Sequence, residues 1–332
     1  MNSEVASAAA EPLKSSAAPA VITPTRTLQT LVRREFWEHP ALWRAPLIAG
    51  GALVAVLLLA IFTRLQRHTV IVNGNARVLS DIFNVDTATK VAAHSLLQGA
   101  VWLALSILAI VVACFYLLDS LYAERKDRSI LFRKSLPVSD GLTVTSKLIV
   151  ALVAVPLIVF AMALGLELLC FAIWELWSLT GAGMSVFSWD PREWLRTEAV
   201  IFLVTLLAVL WYAPVAALFL VVSAWARRAP VLWVLLPLIF LEVVEQIFST
   251  IVGTPRYINH FVNYRVGGIW AHLGFAHVKL FGHDAPIHPI GAWLGELNFA
   301  GAFANVDLWL GVIAAVALAY GAVRLRRYRD ET

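Results

Sequence analysis

The chain has 332 residues, of which 60% are hydrophobic and 14% are charged, and it carries a formal net charge of +4. Its mean hydropathy is +0.77. Soluble domains are about half apolar and about a quarter charged, so this composition excludes a soluble multidomain enzyme. The positive total is no indication of nucleic-acid binding, because membrane proteins retain Lys and Arg in their cytoplasmic loops.

The N-terminal region divides into a tail and a helix. Residues 1–25 are rich in Ala, Ser and Pro and lack the basic start and apolar centre of a secretory signal, so the sequence predicts a disordered tail. Over residues 26–44, apolar residues recur at helical spacing and charged residues occupy the other faces. This pattern predicts an amphipathic helix on the inner membrane surface, ended or kinked by Pro40. A plain cytoplasmic connector is the alternative.

Six apolar runs follow, each close to the roughly 20 residues that a helix needs to cross the hydrocarbon core of a bilayer. They are 46–63, 98–118, 148–172, 199–222, 231–251 and 306–323. No Lys or Arg lies inside any of them. The two cysteines, Cys114 and Cys170, fall within the runs without metal-ligand spacing, so we expect no disulfide. The predicted class is an all-α integral membrane protein, with one six-helix domain over 45–325.

The distribution of basic residues predicts the topology. With the N-terminus inside, the cytoplasmic side holds about twice as many Lys and Arg as the other side, and it includes the basic tail 326–332. Both termini are therefore predicted to be cytoplasmic, in a multi-pass protein of the inner membrane.

The connecting segment between spans five and six, residues 253–305, is long and rich in large apolar side chains. A freely solvated loop would not be, so we expect short helices that pack on the outer membrane face. Five of the eight histidines also lie here: His260, His272, His277, His283 and His288. Their spacings do not place them on one helix face, so the sequence does not favour a metal site.

A nucleotide site is absent from the sequence. A P-loop needs a Lys directly after a Gly, and none of the lysines has one. Any ATP hydrolysis must come from another polypeptide, which would bind the ATP and Mg²⁺, so we expect no cofactor on this chain.

The cytoplasmic segment between spans two and three, residues 119–148, is the predicted docking surface for such a partner. It combines charge with a short apolar stripe that suits a helix seated in a groove, and Pro137 would end that helix. The predicted docking residues are Glu124, Arg125, Arg128, Ile130, Leu131, Arg133, Lys134, Leu136 and Pro137.

This segment resembles the permease subunits of type 2 ABC transporters. In that family the loop after the second span has an acidic-basic stretch, a small apolar run, Leu-Pro with a Ser or similar residue, and a Lys before the next span. The matching residues, in order, are Glu124, Arg125, Ser129, Ile130, Leu131, Leu136, Pro137, Val138, Ser139 and Lys147. The REFWEHPALW stretch over 34–43, the six spans and the apolar connecting segment are also similar to the family.

The resemblance implies a half-transporter that pairs with a second permease, as a homodimer or heterodimer, and with two separate ATPase subunits. Spans one and five are the expected dimer contact. The cytoplasmic loop would transmit ATPase closure to the spans. A simple positively charged cytoplasmic loop is the other interpretation of the motif.

Acidic residues within the apolar runs are the candidate translocation or gating residues. Glu242 and Glu245 share a face of span five, and a charged carboxylate at the bilayer centre costs about 2.5 to 3.5 kcal/mol. We expect them to be protonated, hydrogen-bonded to neighbours such as Gln246, or exposed to a water-filled path. A protonated pair that bonds across helices is the structural alternative. Glu167 in span three is a further candidate.

Two other functional classes compete with an exporter subunit. An intramembrane enzyme is not favoured, because the sequence has no HExxH, no GxSxG and no pair of aspartates in facing apolar runs. A membrane anchor or regulator would use the same basic loop to recruit a different cytoplasmic protein. Substrate identity does not follow from the sequence.

Overall fold

The computed structural model describes residues 24–62, 69–72, 75–78, 87–127, 138–179, 190–274 and 289–328. These residues are almost entirely helical. In chain order, the helices are α1 (Pro24–Glu38), α2 (Ala41–Phe62), α3 (Thr87–Lys126), α4 (Asp140–Ile149), α5 (Val155–Ser178), α6 (Pro191–Trp225), α7 (Pro230–Val252), α8 (Tyr257–His272), α9 (Trp293–Glu296), α10 (Phe299–Ala304) and α11 (Val306–Tyr328).

Within the described residues, six helical stretches are long and apolar enough to cross a membrane, which confirms a multi-pass helical membrane protein. They are Ala41–Leu59, Thr87–Lys126, Asp140–Ile173, Pro191–Trp225, Pro230–Val252 and Val306–Tyr328. Each contains a predicted apolar run or most of one. Several helices extend beyond the run at one or both ends, by as much as 11 residues at the start of α3.

The extensions include two basic residues that flank the predicted spans, Lys147 in α4 and Arg326 in α11. The apolar run marks only the part of a helix that is compatible with lipid. The backbone remains helical for further turns, because paired polar side chains are compatible with a helix outside the hydrocarbon.

A short antiparallel hairpin between α2 and α3 was not predicted. Its strands are β1 (Thr69–Val72) and β2 (Asn75–Val78), with Thr69 paired to Val78 and Val72 to Asn75. Valine, isoleucine and threonine dominate β1, and β-branched residues favour extended backbone.

The third span is interrupted by a π-helical turn, Val150–Ala154, which joins α4 to α5. Pro156 follows two residues later. Proline cannot donate to the carbonyl four residues earlier and its ring crowds that carbonyl, so a wider turn accommodates it. In contrast, α6 and α7 continue through Pro214 and Pro237.

Helix α6 is central, and α7 is peripheral. In the most apolar window of α6, 39% of the residues are buried, and α6 packs against α3 and α11. In the corresponding window of α7, no residue is buried. Its apolar side chains, such as Leu236, Phe240 and Phe248, face outward on several sides of the helix.

The described part of the connecting segment forms short helices, as expected, and packs on α6. Ile290, Trp293 and Leu297 are buried against a cluster that includes Val204 and Trp211 of α6. Trp211 Nε1 also donates a hydrogen bond of 2.8 Å to the carbonyl of Arg265 in α8. The described part of the segment therefore belongs to the folded core.

Candidate functional site

A network of buried charges joins four helices at the end of the bundle where α3 ends and α4 begins. We call it the charged network; its members are Glu35 of α1, Glu124 of α3, Asp140 and Lys147 of α4, and Arg326 of α11. Glu35 and Lys147 are fully buried, and Glu124 and Arg326 are 4% and 5% exposed. The end of the bundle that holds it is called the basic end below, because Arg125, Lys126 and Arg327 also lie there.

Lys147 is the centre of the network. Its Nζ lies 3.0 Å from Oε1 of Glu35 and 2.9 Å from Oε1 of Glu124. The Tyr116 hydroxyl of α3 donates a further hydrogen bond of 2.9 Å to Oε2 of Glu35. One ammonium group thus holds α1, α3 and α4 together.

Arg326 extends the network to the last helix. Its Nη1 lies 2.6 Å from Oε2 of Glu124, and its Nε donates to Oδ1 of Asp140 at 2.9 Å. Asp140 is placed by the helix start, because the Ser139 side chain accepts a hydrogen bond from the backbone N–H of Leu142 as an N-cap. The capping serine of the loop therefore also fixes the acid that binds α11.

Charge in the network is nearly balanced. The network has three carboxylates, and its two cations are Lys147 and Arg326. A third cation lies next to it, because Nη2 of Arg34 is 3.9 Å from Oε1 of Glu35. Burial alone would raise the pKa of Glu35, but the Lys147 ammonium and its hydrogen bond hold the pKa of this carboxyl below its usual value. Glu35 is therefore ionised at neutral pH. Burial lowers the pKa of His39 although Glu35 is nearby, so this imidazole is neutral at pH 7.

The structure places only two of the predicted docking residues. Glu124 is buried in the charged network, where Lys147 and Arg326 contact its carboxylate. Arg125 donates hydrogen bonds of 2.6 and 2.8 Å to the carbonyls of Ser223 and Ala226, at the end of α6. The remaining seven lie outside the described residues: Arg128, Ile130, Leu131, Arg133, Lys134, Leu136 and Pro137.

Glu242 and Glu245 face the start of α8. Glu245 accepts hydrogen bonds from the backbone N–H groups of Ile258 and Asn259, at 2.6 and 2.8 Å, and so caps this helix. Glu242 accepts a bond of 3.2 Å from the Asn259 side chain. Gln246 is exposed and bonds to Thr250 within its own helix. These acids meet polar partners from the connecting segment, which the sequence analysis did not anticipate.

Glu167 lies in a second polar group, toward the end of the bundle opposite the basic end. Its Oε1 is 3.4 Å from Nε2 of His94 in α3. Glu198 of α6 lies beside it and accepts a hydrogen bond of 2.5 Å from Gln98 of α3. We call Glu167, Glu198, His94 and Gln98 the acid cluster. All four are at most 8% exposed.

A cavity of about 590 Å³ opens beside the charged network. Glu38, His39 and Asp119 supply its polar side, and apolar side chains such as Leu42 and Phe115 supply the rest. It lies where α1 meets α2, against α3 and the start of α7. Such a cavity suits a molecule with a polar and an apolar part.

Comparisons of this chain with protein-family models, with curated proteins and with solved structures find no match. The function must therefore be argued from the geometry.

Proposed function

We propose that this chain is the transmembrane permease subunit of an ATP-binding cassette exporter, and that a separate ATPase subunit binds the loop 121–147. The observation that carries the proposal is the position of the charged network. Glu124 is the first of the residues predicted to contact the ATPase, Asp140 follows shortly after the last of them, and both bind Arg326.

The network suits the transmission of movement. A displacement of the loop would act on α3 and α4 at once, and the buried ion pairs would carry it to α1 and α11. Buried ion pairs resist separation, because a charge left alone in a low-dielectric interior is costly. A flexible loop that only retains positive charge on the cytoplasmic side needs no such connection.

The ATPase is a cytoplasmic protein, so its binding to the loop fixes the orientation of the bundle in the membrane. The basic end is cytoplasmic, with both termini inside the cell, and α1 lies along the inner surface of the membrane. The connecting segment packs at the outer face. A second permease, either a second copy or a related chain, contacts the exposed faces of α2 and α7. ATP and Mg²⁺ are bound by the ATPase.

The cavity beside the charged network supports an amphipathic substrate. It meets the bilayer near its cytoplasmic surface in this orientation, and it offers both acidic and apolar contacts. A lipid-like molecule could leave the inner leaflet through it. ATP hydrolysis by the partner would then move that molecule outward.

The test is cross-linking from the loop. The Leu136→Cys variant, in a chain with Cys114 and Cys170 replaced by Ala, should cross-link in native membranes to a soluble protein with a Walker motif. It should also resist membrane-impermeant thiol reagents added from outside. Thr69→Cys, between spans one and two, is the control that those reagents should label.

Two results would contradict the proposal. Labelling of the Leu136→Cys variant from outside the cell would reverse the topology. Cross-linking to a soluble protein without ATPase activity, in repeated purifications, would favour the membrane anchor or regulator.

A further inference from the structure

The acid cluster lies entirely within helices of the candidate membrane spans. Glu167 is in α5, Glu198 in α6, and His94 and Gln98 in α3. The imidazole of His94 stacks on Phe171, with ring centroids 5.9 Å apart. Polar side chains from three spans thus converge in the interior of the bundle, where each is more than nine-tenths buried.

The hydrogen bonds of the two carboxyl groups are incomplete. Both oxygens of Glu167 are buried, and neither has a hydrogen-bond partner that meets ordinary geometry in the described part of the chain. Glu198 receives a bond from Gln98. Among the described residues, neither carboxyl forms an ion pair with Lys or Arg, and His94 is the only basic group next to Glu167.

Other titratable groups near the pair do not neutralise it. Cys170 lies close to Glu167 on α5 and is not a cation. Glu193 and Arg196, nearer the start of α6, bind each other at 2.7 Å. Lys90 lies one turn before His94 on α3. Helix α2, which meets α5 where Gly50 approaches Leu166, has no ionisable side chain from residue 45 to residue 62.

Two adjacent carboxyl groups in such a site cannot both be ionised. A buried charge without a counter-ion is costly in a low-dielectric interior, and two like charges side by side add repulsion. Pairs of this kind hold one proton between them, and their two titration steps belong to the pair.

We propose that Glu167 and Glu198 bind one proton between them, with His94 as the position of a second, so that the acid cluster is a proton-binding site within the membrane. The first proton comes from a hydronium ion, which loses one O–H bond and leaves as water, and it forms an O–H bond on one carboxyl, which donates to the other carboxylate. It changes the charge of the pair from −2 to −1. A second proton, released by hydronium in the same way, forms an N–H bond on Nε2 of His94 and makes the cluster neutral.

The described part of the connecting segment packs beside this site. The backbone N–H of Ile290 donates a hydrogen bond of 3.0 Å to Oγ of Ser95, which directly follows His94 and lies about one turn before Gln98. The side chain of Ile290 contacts Gly99, where a larger residue would collide with it.

A proton fits the site better than a metal ion does. The described residues contain one group of three converging metal-ligand side chains, Glu35, Glu38 and His39, and it lies at the basic end. The acid cluster is not so arranged. The proposal is independent of the ATPase, so its failure leaves the exporter function untouched.

Infrared difference spectroscopy of the full-length protein in lipid tests the proposal directly. We expect a carbonyl stretching band from a protonated carboxylic acid, and its loss when the pH is raised. Glu167→Gln and Glu198→Gln should each abolish this band. The matched control is Glu296→Gln, which changes an exposed residue of α9 and should retain it.

Thermal unfolding provides a second measurement. The melting temperature of the unmodified protein should fall as the pH rises and the shared proton is lost. This fall should be absent in Glu167→Gln, because an amide can donate to the remaining carboxylate without a proton from solvent.

Several outcomes would overturn the proposal. A band absent from the unmodified protein at every pH would exclude a shared proton. A band that persists in both Gln variants would assign it elsewhere. Saturable Zn²⁺ or Na⁺ binding to the unmodified protein, lost in Glu167→Gln, would make the cluster a cation site.

Discussion

The two ends of the bundle both bury acidic side chains, but among the described residues Glu35 and Glu124 of the charged network pair with Lys or Arg, whereas Glu167 and Glu198 of the acid cluster do not. In the charged network, Glu35 and Glu124 each contact Lys147 within about 3 Å. In the acid cluster, the carboxyl groups of Glu167 and Glu198 lie side by side, with a neutral amide and one histidine. Ion pairing makes the first arrangement a fixed joint between helices. The shortage of positive charge in the second arrangement is the basis of the proton-binding proposal.

The largest effect should come from removing the central cation of the network. Lys147→Met leaves Glu35 and Glu124 buried with less compensation, and breaking a buried pair typically costs about 3 to 5 kcal/mol. We expect a large fall in the melting temperature in detergent, measured by size-exclusion chromatography after heating. Lys126→Met, at an exposed position of the same end, is the control and should behave like the unmodified protein. Equal melting temperatures for both variants would contradict the structural role of the network.

A Glu-to-Gln substitution at each end of the bundle tests whether the charged network and the acid cluster respond in opposite ways. Glu124→Gln should destabilise the protein, because Lys147 and Arg326 lose the carboxylate that joins them. Glu198→Gln should be neutral or stabilising at alkaline pH, because it removes one of two competing negative charges. Both can be measured as shifts in melting temperature at pH 6 and pH 9. A loss of stability at alkaline pH in both variants would show that the two sites do not differ in this way.

Acidification should weaken the basic end. The pKa of Glu35 is lower in the folded protein than its ordinary value of 4.5. The folded state therefore binds this proton less readily than the unfolded state, and stability falls as the pH drops below about 4.5 and through the folded-state pKa. Glu35→Gln should reduce that dependence, as seen in melting temperatures between pH 3 and pH 6. The effect should be smaller than that of Lys147→Met, because Lys147 still contacts Glu124.

The smallest effect concerns the cap at the start of α8. Glu245→Ala removes the acceptor of two backbone N–H groups, and loss of a helix cap costs about 1 kcal/mol. Hydrogen exchange at Ile258 and Asn259 should become faster, with little change elsewhere. Gln246→Ala is the control, since its side chain is exposed and bonds within its own helix. Unchanged protection at Ile258 in Glu245→Ala would contradict the capping role.

The sequence revealed part of each polar site. Glu124 and Lys147 were singled out by the loop pattern and Glu167 by its place in an apolar run, but the contacts that these side chains make were not predicted. Arg326 was assigned to a basic tail, and Glu198 lies directly before the predicted start of span four. The hydrophobic pattern ends where lipid contact ends, whereas the helices continue. Hydrophobicity therefore does not identify the helical residues just outside an apolar run.

The six spans were determined by the sequence alone, because a helix in lipid must satisfy its own backbone hydrogen bonds and its length is set by the thickness of the bilayer. The pairing of charges was decided only by the tertiary structure. Glu35 and Lys147 are 112 residues apart, and Glu124 and Arg326 are 202 apart. Local patterns cannot indicate such contacts, because they depend on which helices become neighbours when the bundle packs.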